Sequence, residues 1–208
     1  MSTPAGQIGL PLAWPEDDAD SAFIVGESNR RAVRHLDHWA LWPVAITLLT
    51  GPRKSGRSTL GRIFARKCGG TLIDDADLAE EEALFHAWNA AQAERRPLLM
   101  VADEPPPRWE MALPDLRSRM AATPKIVLGE PDDALIEALV ERHYARRGLV
   151  FPANAMAWML RRIERSHYAV HRALEAIDQA AFARGGGVTL ALVRSALGDK
   201  SAGSLKAR

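Results

Sequence analysis

The chain has 208 residues, of which 47% are hydrophobic and 25% charged, proportions that fit a soluble globular protein able to bury a core of its own. With 27 Lys and Arg against 26 Asp and Glu the net charge is +1, and the arginines are dispersed, which argues against a nucleic-acid backbone as the main ligand. The single cysteine, Cys68, excludes an internal disulfide framework, suits a reducing compartment and reads as a small apolar filler at a helix end.

The chain opens on an apolar plug, Gln7, Ile8, Gly9, Leu10, Pro11, Leu12 and Trp14, which stops at Pro15-Glu16-Asp17-Asp18. Termini are usually polar, so an exposed apolar segment here is expected to bury its side chains on a partner or on the chain's own core. It is proline-broken and lacks the basic residues of a signal or transit peptide, and no later run is long enough to span a bilayer. These features predict a soluble, cytoplasmic protein that does not enter membranes.

After the acidic stretch from Glu16 to Asp20, SAFIVG is a short apolar entry. A helix follows it, with Ala32, Leu36 and Trp39 near helical spacing and Ser28 or Asn29 as its cap. AITLLTG predicts a buried strand, and STLGRIFARKC a helix. GTLIDDADL predicts a second buried strand with two carboxylates at its end. AEEEALFHAWNAAQAERR is helical, with an inner stripe at Leu84, Trp88 and Ala91. PLLMVADEPPPRW is a third strand, closed by a triple proline, and KIVLGEP a fourth. Strands alternating with helices predict an α/β core built on a parallel sheet covered on both faces.

From Pro131 onward only helices are expected. Asp132 caps a helix carrying Leu135 and Leu139, which Gly148 ends. A second helix carries Met156, Met159, Leu160 and Ile163, and a third carries Val170, Leu174 and Ile177. Thr189 caps a last one. About 70 residues of helix form a small all-α unit that leans on a larger neighbour. The expected organisation is a peptide over 1–15, an α/β core over 16–130, a helical domain over 131–200 and a loose tail over 201–208.

LLTGPRKSGRSTLGRIFA has the layout of a phosphate-binding loop: apolar strand, glycine-bounded turn, helix. Gly51, Pro52, Arg53, Lys54, Ser55, Gly56, Arg57 and Ser58 match G-x-x-x-x-G-K-[ST], except that Arg57 stands where lysine belongs. Anion binding by the loop's backbone survives that change. A guanidinium is larger than an ammonium and planar, so Arg57 either holds a diphosphate or obstructs a triphosphate. Asp74 and Asp75, at the end of the next strand, suit the positioning of Mg²⁺-bound water beside such a loop, or form only a turn. The six histidines, His35, His38, His86, His143, His167 and His171, form no constellation for a metal. The six tryptophans are either exposed contact surface or core.

Taken together, these segments resemble the AAA+ family of the bacterial replication initiator DnaA and, within it, the short regulatory Hda group, over Gln7 to about Leu197. FIVGESN, with Phe23 and Val25, resembles the family's adenine pocket. GPRKSGRST, through Thr59, resembles Walker A, and LIDDAD resembles Walker B. ALFHAWNAA resembles the helix that follows, VADEPPPRW resembles sensor I through Asp103, and LPDLRSRM resembles box VII. The most specific of these are LPDLRSRM and then ALFHAWNAA.

The resemblance implies that Arg119 is an arginine finger offered in trans, with Arg117 left to solvent. It also implies that Gln7, Ile8, Leu10, Pro11 and Leu12 bind the sliding clamp of DNA polymerase III as an extended peptide. When no clamp is present, the same peptide is a candidate surface for a homodimer.

The implied function is negative control of chromosome replication. A clamp-bound regulator would accelerate hydrolysis of DnaA-bound ATP rather than act as an enzyme by itself, with ADP and Mg²⁺ as candidate ligands of its own core. Three departures speak against intrinsic ATP hydrolysis: Arg57; Tyr168 at the sensor II position, with Arg165 and Arg172 nearby but out of register; and only ARKCGG between the Walker A helix and the Walker B strand, a core trimmed by one βα unit. The initiator's DNA-binding domain is not matched, so sequence-specific DNA binding is not expected. Two other functions fit parts of the pattern: a stand-alone P-loop NTPase or small-molecule kinase, and a clamp-tethered adaptor that binds no nucleotide.

Overall fold

The computed structural model describes residues 23–185 and 187–198. The peptide Gln7 to Leu12, Trp14 and the tail over 201–208 lie outside the described residues.

Four parallel strands make one sheet: β1 (Ile46–Thr50), β2 (Thr71–Ile73), β3 (Leu98–Val101) and β4 (Lys125–Val127), in the order β2-β3-β1-β4. All residues of β1 and β3 are buried, Thr47 and Thr50 among them, as befits strands with a neighbour on each side. β2 departs from expectation. Thr71 is exposed and Leu72 and Ile73 are half-buried, because β2 is an edge strand with β3 alone beside it among the described residues. Only Gly69 and Gly70 separate it from the preceding helix, so the sheet has no further strand and helix at that point.

Helices cover both faces. On one, α1 (Glu27–Asp37) and α2 (Arg57–Cys68) pack Ala32, Leu36, Leu60 and Phe64 against Leu49, Leu99, Val101 and Ile126. α2 lies close over the sheet because Gly61 carries no side chain; a Cβ there would stand 2.8 Å from Leu72 Cδ1. On the other face, α3 (Glu81–Glu94) and α4 (Pro114–Ala122) pack Leu84, Ala91, Leu116 and Met120 against Ile46, Leu48, Leu98 and Met100. Trp88, expected on α3's inner stripe beside Leu84 and Ala91, is half-buried.

The cap of α1 is not Ser28 or Asn29 but Gly26, since the helix starts earlier than expected. Asn29, buried in the first turn, reaches back: its Oδ1 accepts from Gly26 N at 2.9 Å and its Nδ2 donates to Ile24 O at 2.9 Å.

The helical unit comprises α5 (Asp133–Ala145), α6 (Ala153–Leu160), α7 (His167–Arg184) and α8 (Leu190–Leu197). Asp132 Oδ1 and Thr189 Oγ1 accept from Leu135 N and Leu192 N at 2.7 and 3.2 Å, so both helices carry a side-chain N-cap. α5 ends at Ala145, before Gly148, and its inner stripe is Ile136, Val140 and Tyr144, with Leu139 only half-buried. α6 stops at Leu160, which leaves Ile163 in the turn beyond it. These helices share a core of their own around Met156, Trp158, Met159, Leu174 and Ile177.

The two units meet at Gly129. Its N–H donates to Ser28 O at 3.0 Å, and its carbonyl lies 3.1 Å from His167 Nε2 at the start of α7. Gly26 packs against Leu135 in the same place, where a Cβ would come within 3.2 Å of Leu135 Cβ.

Candidate functional site

β1 delivers the chain to Gly51, whose φ of +152° and lack of a side chain are both required: a Cβ would lie 2.8 Å from Leu128 O. The turn passes through Lys54 (φ +68°) and Gly56 (φ +87°), left-handed positions that turn backbone N–H groups toward the N-terminus of α2. The N-terminus borders a depression of about 270 Å³ lined by Lys54, Gly56, Arg57, Ser58 and Thr59. Ser55 Oγ, in this loop, is buried without a hydrogen-bond partner among the described residues. The backbone and this orphaned hydroxyl suit an anion such as a diphosphate.

A second depression, about 460 Å³, opens at the C-terminal ends of the strands between Gly51, Pro52, Arg53, Asp103, Glu104 and Val127. Phe23 lies over the loop, its ring against Gly56, where a Cβ would meet Cε2 at 2.9 Å. Val25 packs with it on the α1–α2 side of the sheet.

Ser58 Oγ donates to Asp74 Oδ1 at 3.1 Å, an arrangement suited to a hydrated divalent cation beside the phosphate loop. Asp75 does not join it. It is exposed, in the left-handed region (φ +50°), and starts the 3₁₀ turn Ala76–Leu78. Asp103 is brought to the loop from the end of β3, and its N–H donates to Asp77 Oδ2 at 3.3 Å. Arg57, although it lines the first depression, has its donors committed: its Nη1 donates to Ala102 O and its Nη2 to Asp103 Oδ1, leaving the side chain only 11% exposed. A guanidinium committed in this way does not fit the part of a phosphate-binding lysine, although the backbone around it fits a phosphate. The commitment of Arg57 to the end of β3 could not be read from the sequence, since the two are 45 positions apart.

On the opposite face of the sheet, α3 and α4 are joined at both ends. Glu81 at the start of α3 accepts from Ala112 N and Leu113 N, both at 2.7 Å. Those bonds, first Leu113 and then Ala112, hold its carboxyl below the usual range. Near the other end Trp88 Nε1 donates to Thr123 Oγ1 at 3.1 Å, and that hydroxyl donates to Arg119 O at 2.9 Å. Between these struts the Arg119 guanidinium lies 4.9 Å from the Phe85 ring centroid and 4.7 Å from that of Trp88. It carries no hydrogen bond or ion pair among the described residues. Arg117 is exposed. The spacing of Phe85 and Trp88 is a helical i, i+3 pair that sequence inspection can find; that Arg119 lies on it cannot be read there.

In the helical unit Tyr168 is 53% exposed, and Arg172 lies 6.0 Å from its ring. Arg165 pairs with Asp133 at 2.8 Å. His167 is buried, and burial lowers its pKa despite the bond to Gly129. His143 and Arg147 share Asp178 at 2.8 and 2.6 Å. Among the described residues no three His, Cys, Asp or Glu side chains group to hold a metal, and no helix is long and apolar enough to cross a membrane.

Residues 132–197 match the family model described as "Hda, lid domain". The whole fold is similar to domain III of the Thermotoga maritima replication initiation protein DnaA, at 15% identity and a TM-score of 0.69, covering 84% of this chain and 93% of that one. AMPPCP-bound DnaA from Aquifex aeolicus is similar at 15% identity and a TM-score of 0.60, over 77% of this chain and 65% of that one, so the chain spans a little under two thirds of that protein. The Thermotoga maritima RuvB Holliday junction branch migration motor shares the fold at 14% identity and a TM-score of 0.60, over 83% and 69% of the two chains. The chain thus joins a helical domain that matches the Hda lid model to a parallel α/β core whose fold is similar to that of DnaA domain III.

Proposed function

We propose that the protein restrains initiation of chromosome replication by accelerating hydrolysis of ATP bound to DnaA, with Arg119 as the arginine finger. The observation that carries this reading is the state of Arg119: aromatic rings hold its guanidinium in place, and no carboxylate among the described residues neutralises it. In the partner's site, water attacks the γ-phosphorus, the bond to the β,γ-bridging oxygen breaks, and ADP leaves with the electron pair. A guanidinium beside the γ-phosphate stabilises the charge that builds on its oxygens.

In this reading Gln7, Ile8, Leu10, Pro11 and Leu12 tether the chain to the sliding clamp and bring Arg119 to DnaA. The same peptide is a candidate contact between two copies. ADP, held by the loop from Gly51 to Thr59 and flanked by Phe23 and Val25, is a structural ligand that sets the angle between core and lid. Mg²⁺ would sit by Ser58 and Asp74, where it supplies charge for phosphate oxygens. The protein is then a cytoplasmic regulator and not an ATPase in its own right. One observation favours a second reading, a clamp-tethered adaptor without nucleotide: Arg57 is already committed to Ala102 and Asp103.

The test is turnover of DnaA-bound ATP on DNA-loaded clamp, comparing the full chain with its Arg119→Ala and Leu10→Ala/Leu12→Ala forms. Acceleration by the wild type and by neither variant supports finger and tether together. A wild type that binds the clamp and accelerates nothing overturns the finger and leaves the adaptor.

A further inference from the structure

The geometry assigns Phe85 and Trp88 as positioning residues that keep Arg119 extended, charged and available to a phosphate; this rests on the reading of Arg119 as a finger. A long arginine on a helix surface samples many rotamers, and fixing it on encounter costs conformational entropy. Here that ordering is done in advance. Centroid distances of 4.9 and 4.7 Å put the guanidinium carbon within cation–π range of both rings.

The kind of contact matters. A carboxylate would take the in-plane N–H donors and cancel the charge, as Asp103 does to Arg57. Ring faces take neither, so the donors remain for an incoming phosphate. One of the rings is itself tied in place. Trp88 is tied through its indole N–H to Thr123, whose hydroxyl donates to the carbonyl of Arg119, so the platform and the backbone that bears the finger move as one body. Glu81 closes the other end of the same helix pair.

The test uses the full chain with ATP-loaded DnaA and DNA-loaded clamp, comparing wild type, Trp88→Phe, Trp88→Leu, Phe85→Leu and Arg119→Ala. NMR of the Arg119 side-chain protons, assigned by their loss in Arg119→Lys, reads the stack directly through ring-current shifts. We expect Trp88→Leu to move those protons toward their ordinary positions. Its maximal stimulated turnover should fall about tenfold, as a misplaced catalytic group does, with the half-saturating concentration changed less than about twofold. Trp88→Phe, which keeps a ring but not the indole N–H, should retain about half of the stimulation. If Trp88→Leu fails to fold, Phe85→Leu is read in the same way.

A variant that loses the ring-current shift yet stimulates like wild type overturns the proposal while Arg119 stands as the finger. Ordinary shifts in the wild type also overturn it. Wild-type stimulation by Arg119→Ala removes the finger, and the positioning role with it, whatever the shifts show.

Discussion

Two arginines on opposite sides of the same sheet are used in opposite ways. Arg57, at the mouth of the phosphate loop, spends its donors on Ala102 O and the Asp103 carboxylate and is nearly enclosed. Arg119, on the α3–α4 face, is held by Phe85 and Trp88 and shares its charge with no acceptor among the described residues. The first holds the loop to the end of β3; the second, in the proposed function, is kept for a partner. What an arginine can do is therefore set by what holds it: carboxylates and carbonyls consume its chemistry, and aromatic faces preserve it.

The comparison breaks most visibly if Arg119 is not needed. Arg119→Ala should lower stimulated turnover of DnaA-bound ATP by about 10³-fold, and urea unfolding should show a loss of no more than about 1 kcal/mol, the worth of a surface cation–π contact. Arg57→Ala should behave in reverse: it strands a buried carbonyl, costs about 1–3 kcal/mol of stability and leaves stimulation at wild-type level. Gly51→Ala, which forces a Cβ against Leu128, should cost about 2 kcal/mol or more and empty the loop of any bound nucleotide.

Arg57→Lys sharpens the contrast. An ammonium cannot serve Ala102 O and Asp103 in the same forked manner, so affinity for a fluorescent nucleoside triphosphate should rise, by about tenfold.

The smallest effect is at the junction of the two units. Burial lowers the pKa of His167, so the unfolded chain takes up a proton that the folded one refuses. The stability it confers is present in full above about pH 6.5 and is lost as pH falls below that, toward the folded-state value. His167→Gln should reduce the drop in urea midpoint between about pH 7.5 and pH 5.5. His35, whose pKa burial also lowers, adds to the slope with the same sign.

The sheet was legible where burial is two-sided. AITLLT and PLLMV carry no charge and became the inner strands. TLI reads much the same, yet it is an edge strand, because strand order is not written in a local apolar run. Caps that act over three residues, Asp132 and Thr189, could be read; Asn29, which reaches backward from inside its helix, could not. The loop from Gly51 to Ser58 was visible through its glycines. The partners of Arg57 and Arg119 were not, since each comes from another element across the fold.

β1 lies between β3 and β4, and Leu48 finds its register with Lys125 only after roughly 80 more residues have been synthesised, about 4–15 s at ordinary translation rates. Until then Ile46–Thr50, a run without charge or proline, has an open hydrogen-bonding edge. A product stalled before Lys125 is therefore the species most prone to aggregate, and the nascent chain is most in need of a chaperone over that interval.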